Sequence, residues 1–203
     1  MKALILVDIQ YDFTTGGNLE VKQGEEIIPL VNTLQEQFEL VVATQDWHPS
    51  NHLSFASNHP GHKPFEKILL NGLEQVLWPD HCVQGTEGAA FHRALDMKRV
   101  AAIFRKGMDP AIDSYSGFYD NGRLQNTGLA GYLRDRRVTH VFVVGLAGDY
   151  CVYFTARDAL LEGFTCTVIS DATRPISEDG FRMAIEDLKH HGGMVVESRE
   201  LKL

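Results

Sequence analysis

Apolar residues along this chain of 203 residues fall into two recurring patterns. In the first they follow one another almost without interruption, in short runs at 3–7, 40–44, 100–104, 138–144, 165–170 and 194–197. Near-continuous apolarity rich in β-branched residues is what a strand needs when both of its faces are covered. In the second pattern apolar positions return every three or four residues, the spacing that gathers them on one face of a helix. Ile27, Val31, Leu34 and Phe38 make such a stripe, with Pro29 tolerable in the first turn. Three more helices are predicted: one capped by Thr127 and running through Leu129 and Leu133, one over 150–161 ended by Gly163, and one carrying Phe181, Ile185 and Leu188 and stopped by Gly192.

Strands alternating with helices imply a three-layer α/β/α fold with a central, mostly parallel sheet covered on both sides by right-handed crossovers. The stretch 46–88 breaks the rhythm, being rich in His, Pro, Asn and Gly and showing no sustained period. A long irregular insertion in a compact domain is usually functional. With no internal repeat or linker, the whole chain, 1–203, is expected to form a single domain.

Composition narrows the function classes. Apolar residues make up 44% of the chain and charged ones 23%, a globular balance that excludes general disorder. Lys and Arg number 19 against 27 Asp and Glu, a net charge of -8 that repels phosphate backbones and anionic membrane surfaces alike. Cys82, Cys151 and Cys166 form an odd set with no CxxC pair, a poor disulfide framework that fits a reducing cytoplasm. The first apolar run is cut short by Asp8, too early for a signal peptide, and no stretch approaches the roughly 20 apolar residues that span a bilayer. The expectation is a cytoplasmic protein with a small-molecule substrate, no nucleic-acid or membrane partner, and room for self-association as a homo-oligomer.

In open α/β sheets ligands bind beyond the carboxyl ends of the strands, so the polar residues that follow each apolar run are the first candidates. They are Asp8, Asp46 with His48, Lys106 and Cys151. Cys151 falls in a strand, Gly-containing turn and helix sequence, where a helix N-terminus would favour the thiolate and offer N–H groups to an oxyanion. Taken alone, a cysteine is more often a buried structural thiol, Asp8 a turn residue and Lys106 a solvated charge. Together they supply a nucleophile, a base for its proton and a cation that holds the base ionised and lowers the thiol's pKa. A second constellation is Asp46-Trp47-His48 with His52, His59, His62 and His81 downstream. On an extended backbone Asp46 and His48 point the same way, and mixed oxygen and nitrogen donors suit zinc, iron or manganese. A merely polar, histidine-rich loop is equally compatible with the spacing.

Five segments then carry a resemblance: VDIQYDF at 7–13, TQDWHP at 44–49, WPDHCV at 78–83, FRKG at 104–107 and GLAGDYCV at 145–152. Together and in this order they resemble the nicotinamidases of the isochorismatase-like cysteine hydrolases. The resemblance implies hydrolysis of nicotinamide to nicotinate and ammonia through a cysteine thioester, in NAD salvage, with pyrazinamide as an accessory substrate. It puts Asp8, Lys106 and Cys151 at the catalytic positions and Asp46, His48 and His81 at the ligand positions of one divalent metal ion, zinc first, with iron or manganese as alternatives. His52 and Ser54 are not carried over as ligands. The N–H groups of Ala147 and Cys151 fall at the oxyanion hole, next to a cis Leu146–Ala147 bond. Phe13, Leu19, Trp78 and Tyr115 fall on the substrate pocket. Where these relatives usually have Thr, this chain has Gly148, which predicts a looser nucleophile turn. The rival readings are a carbamoyl or ureido amidase or an isochorismate hydrolase of the same superfamily, a non-catalytic metal-binding protein, and a redox sensor built on Cys151.

Overall fold

The structure is a computed structural model and describes residues 1–201. In chain order the elements are β1 (Lys2–Val7), α1 (Ile28–Gln35), β2 (Leu40–Asp46), β3 (Lys67–Leu70), β4 (Leu73–Val76), β5 (Val100–Lys106), α2 (Leu129–Asp135), β6 (His140–Leu146), α3 (Tyr153–Leu161), β7 (Thr165–Arg174), α4 (Glu178–His190) and β8 (Met194–Val196). Six strands form one sheet in the order β5-β2-β1-β6-β7-β8. Every pair in it is parallel.

Side chains alternate across the sheet and build two cores. Leu4, Leu6, Val41, Ala43, Phe142 and Val144 pack with Ile28, Val31 and Leu34 of α1 on one face. Ala3, Ile5, Val7, Val42, Val141 and Val143 pack on the other with Leu129 and Leu133 of α2, Ala156 and Ala159 of α3 and Leu188 of α4. These are the three layers that the apolar patterns imply, and the central strands are uninterrupted in apolarity because each lies between two cores.

Several boundaries differ from the sequence reading. Strands β2 and β5 run on to Asp46 and Lys106, so both charged residues end strands rather than follow them. Strand β6 starts later than expected, at His140, and β7 runs on to Arg174. At the sheet edge β5 alternates between covered and open positions, with Ile103 48% exposed, so it is not buried on both faces. On one face Phe104 of β5 packs against Tyr132 of α2, with ring centroids 5.3 Å apart, but among the described residues no α-helix covers the face that carries Ile103: the crossover from β2 to β5 runs through the irregular segment, which holds the antiparallel pair β3 and β4. The pair turns at Asn71-Gly72, both in the left-handed region, a two-residue hairpin turn that the sequence does advertise. Helix α2 is preceded by Gly128, with φ of 88°, rather than by Thr127 as N-cap. The Thr127 hydroxyl still accepts a hydrogen bond from the Leu129 N–H, at 3.2 Å.

The chain crosses from β1 by way of α1 to β2 and then to β5, and afterwards resumes on the opposite side of β1 with β6. Strand order therefore reverses between β1 and β6, and a crevice opens there at the carboxyl ends of the strands. Gly145 lies at this reversal with φ of 120°, paired in register with Val7. A Cβ on Gly145 would come within 2.1 Å of the Val7 carbonyl oxygen, so only glycine allows β1 and β6 to approach this closely. Gly131, within α2, is exposed, and a Cβ added there would meet nothing within 4 Å. Gly145→Ala should therefore lower unfolding free energy by at least about 3 kcal/mol in urea melts, as backbone overpacking at a strained position does. Gly131→Ala should raise it by about 1 kcal/mol, the propensity difference in an exposed helix. Equal effects from the two substitutions would contradict this reading of the reversal.

Candidate active site

Parallel register brings three strand ends together. Asp46 and Lys106 are paired neighbours on β2 and β5, and Asp8 follows β1 with a left-handed φ of 48° that turns its carboxylate back into the crevice. The Lys106 ammonium, wholly buried, lies 3.0 Å from Asp8 Oδ2 and 2.9 Å from Asp46 Oδ1. It also donates to the Ser114 carbonyl at 2.8 Å and reaches Cys151 Sγ at 3.4 Å. The Thr44 hydroxyl donates to Asp8 Oδ1 at 2.6 Å, whereas Oδ2 faces Lys106 without hydrogen-bond alignment.

The protonation states follow from this packing. Burial disfavours the Lys106 ammonium, but Asp46 and Asp8 outweigh it and hold its pKa well above the usual lysine value. Burial pushes the Asp8 carboxyl up, and Asp46 adds to the rise that Lys106 opposes. Burial also pushes the Cys151 thiol well up, against Lys106 and with Asp8 and Asp46. This corrects the expectation of a lowered thiol pKa: desolvation and two carboxylates outweigh one ammonium, so the thiol keeps its proton.

The second constellation assembles beside the first. His48 Nε2 and His81 Nε2 lie 3.0 and 3.3 Å from Asp46 Oδ2. His48 Nδ1 donates to the Gly107 carbonyl at 2.9 Å and His81 Nδ1 to the Pro79 carbonyl at 2.8 Å. Both Nε2 atoms thereby converge with Asp46 Oδ2, three buried ligand atoms within 4.8 Å of one another, an oxygen and nitrogen donor set that suits a divalent cation. Backbone carbonyls that fix the other ring nitrogen are the usual outer support of histidine ligands, so these residues fit a divalent ion. His48, His52 and the buried Asp113 form a second set of neighbouring donors. His52 Nδ1 is taken by the Ser54 N–H at 3.1 Å and hydroxyl at 2.7 Å, and its Nε2 is buried without a partner among the described residues. Burial, aided by His48, pushes His52 down to about 4 and keeps it neutral.

Cys151 lies in a turn over Gly148–Val152 with π-type bonding, one turn before α3, rather than in the first turn of an ordinary helix. The Ala147 carbonyl accepts from the N–H groups of Tyr150 and Val152, each at 3.1 Å, which bends the chain sharply after the cis Leu146–Ala147 bond. Gly148 is buried, and a Cβ there would come within 2.9 Å of Phe181 and of Thr173, so neighbouring side chains fill the space a threonine would take.

A small pocket opens onto both constellations. Phe13, Leu19, Trp78 and Tyr115 all line it, together with Asp46, His81, Ala147 and Cys151. The sequence reading did not single out Asp113, Tyr150 and Ile176, which also line it, or Thr44 and Ser114, which hold Asp8 and Lys106. Thr44 and Tyr150 had a signal, since Thr44 shares the strand face of Asp46 and Tyr150 adjoins Cys151. Asp113 and Ile176 had none, because loops bring them in. Gln75 Nε2 donates to Asp113 and to the Tyr115 hydroxyl, each at 3.1 Å, which ties the pocket wall to β4.

Comparison with known proteins agrees with this geometry. The family model described as the isochorismatase domain matches residues 2–200. The nicotinamidase of Acinetobacter baylyi is 48% identical over 98% of this chain and 94% of its own. A solved nicotinamidase and pyrazinamidase from Acinetobacter baumanii superposes with a TM-score of 0.97 at 47% identity, covering 99% of this chain and 98% of that one. The pyrazinamidase of Pyrococcus horikoshii, solved in complex with zinc, superposes with a TM-score of 0.81 at 38% identity over 97% of this chain and 98% of its own. With its fold, its five motifs and these similarities in accord, the chain belongs to the isochorismatase family, among the nicotinamidases.

Proposed function

We infer that this chain hydrolyses nicotinamide to nicotinate and ammonia through a thioester on Cys151, recovering the pyridine ring for NAD synthesis. The observation that carries the reading is the buried Lys106 ammonium, 3.4 Å from Cys151 Sγ and 3.0 Å from Asp8 Oδ2, in an aromatic pocket shared with Asp46 and His81. Similarity to nicotinamidases over nearly the whole chain supports the choice of substrate.

The thiol is protonated at rest, so its proton leaves as attack begins. Asp8 takes the proton, the sulfur adds to the carboxamide carbon, and the N–H groups of Ala147 and Cys151 hold the oxyanion. Asp8 passes the proton to the nitrogen, the C–N bond breaks, and ammonia departs to leave a nicotinoyl thioester. Asp8 then draws a proton from water, whose oxygen attacks the thioester; the C–S bond breaks and the sulfur regains a proton. Lys106 offsets the charge that alternates between Asp8 and sulfur. Phe13 and Trp78 cover the ring and exclude water from it. A divalent ion held by Asp46, His48 and His81, zinc first, would supply a Lewis acid for the pyridine nitrogen. Pyrazinamide, with the same carboxamide on a similar ring, is the expected accessory substrate.

Cys151→Ala should abolish ammonia release from nicotinamide while leaving the melting curve of the protein in place; release at the parent rate would exclude the covalent route. His48→Ala should lower bound metal well below one equivalent by elemental analysis, and a full equivalent retained would refute the ligand set. Lys106→Met leaves two buried carboxylates without their cation and should cost about 3–5 kcal/mol at neutral pH. Its pH dependence has a definite sign. Removing the ammonium raises the folded pKa of Asp8 still further above the unfolded value of about 3.9, so the stability it contributes is fully present below that value and is lost as pH rises. Urea melts of metal-free protein should thus show a smaller deficit at pH 4.5 than at pH 7.5, and an equal deficit would contradict the ion-pair account.

A further inference from the structure

The turn that carries Cys151 bends after β6, begins with a glycine and is closed internally by the Tyr150 and Val152 N–H groups on the Ala147 carbonyl. Further support comes from a distant part of the chain. Asp149 Oδ1 accepts from the Ile176 N–H and Oδ2 from the Ser177 N–H, each at 2.9 Å. Ser177 is the N-cap of α4, its hydroxyl accepting from the Gly180 N–H at 3.2 Å. Gly180 packs closely on the same carboxylate, since a Cβ there would stand 3.1 Å from Asp149 Oδ2. Next along α4, the Phe181 ring fills the space over Gly148. Two successive residues of the nucleophile turn are thus held at the start of α4, Asp149 by hydrogen bonds from Ile176 and the N-cap Ser177 just before the helix and Gly148 by packing of Phe181 within it.

We propose that α4 braces the nucleophile turn and that Asp149 is the positioning residue through which it also sets a wall of the substrate pocket. Ile176, whose N–H the carboxylate holds, lines the same pocket as Cys151 and Ala147. One side chain thereby fixes the distance between the thiol and the surface against which the substrate ring rests. Asp149 touches neither the substrate nor the reacting atoms; it acts through Cys151 and Ile176. The consequence is large because reacting groups must be held to a fraction of an ångström, and displacements near 1 Å can cost about a hundredfold in rate. In this chain Phe181 takes the place of a side chain at position 148, so the brace is shared between the helix and the carboxylate.

The proposal rests on Cys151 being the nucleophile of the amidase reading, and the test keeps the two apart. Asp149→Asn keeps the volume but offers only one acceptor to two N–H groups, and Phe181→Ala removes the ring alone. The first readout needs no substrate: the rate at which iodoacetamide alkylates Cys151, followed on the Cys151 peptide by mass spectrometry at fixed pH. The second is kcat and KM for nicotinamide, with bound metal measured on the same samples. Both variants should slow alkylation and lower kcat by about tenfold or more with metal content unchanged. Only Asp149→Asn should also raise KM, because only it releases Ile176. Lower melting temperatures with parent alkylation rate, kcat and KM would show a merely structural contact and overturn the proposal, as would a Phe181→Ala variant that raises KM as much as Asp149→Asn. A parent protein that releases no ammonia from nicotinamide would sink the amidase reading, while the alkylation comparison would still decide the brace.

Discussion

A lysine ammonium removed from water is tolerable only where carboxylates surround it, and Lys106 is such a group: its side chain has no exposure and lies between Asp8 and Asp46. The requirement is mutual. Asp8 and Asp46 are also buried, and each needs the cation to stay in the interior. The three residues end or follow β1, β2 and β5, so this one electrostatic condition fixes how those strand ends meet. Everything chemically active hangs from it. Asp46 presents its other oxygen to His48 and His81, and Lys106 reaches on to Cys151.

Burial, joined by Asp8 and Asp46 and opposed by Lys106, pushes the Cys151 thiol well above its ordinary pKa, which favours the neutral thiol over a stored thiolate. The site is thus arranged for the proton to move during the reaction. Asp46 belongs to both constellations, and this joins the electrostatics of the nucleophile to those of the donors that suit a cation. Burial opposes its ionisation, yet His48 and Lys106 together hold it well below the usual carboxylate range, so it remains an anion for both neighbours.

Topology supplies the remaining part. Because strand order reverses between β1 and β6, the crevice at that point lies between Asp8 on one side and the nucleophile turn on the other. The irregular segment between β2 and β5 contributes His48, Trp78 and His81, and its hairpin anchors Tyr115 and Asp113 through Gln75. A helix in this crossover would have covered the sheet edge more fully, but it would not have offered so many differently directed side chains to one pocket.

The α/β/α layering and most helix positions were legible in the chain itself, because strands buried on both faces demand unbroken apolar runs and surface helices demand a stripe. The polar residues after those runs were legible as candidates for the same reason: parallel strands leave their carboxyl ends on one side. The edge position of β5 was not, since an apolar run reads alike whether its second face meets a helix or solvent. Nor was the protonation of Cys151, which depends on how far burial outweighs Lys106 and so on distances set by β1, β2 and β5 together. Asp113, Ile176 and the contact of Phe181 with Gly148 came only with the folded chain, because loops and a helix remote in sequence deliver them. Periodicity and residue type are local and survive in one dimension; desolvation, charge balance and the filling of a missing side chain are sums over neighbours, and the tertiary structure alone chooses the neighbours.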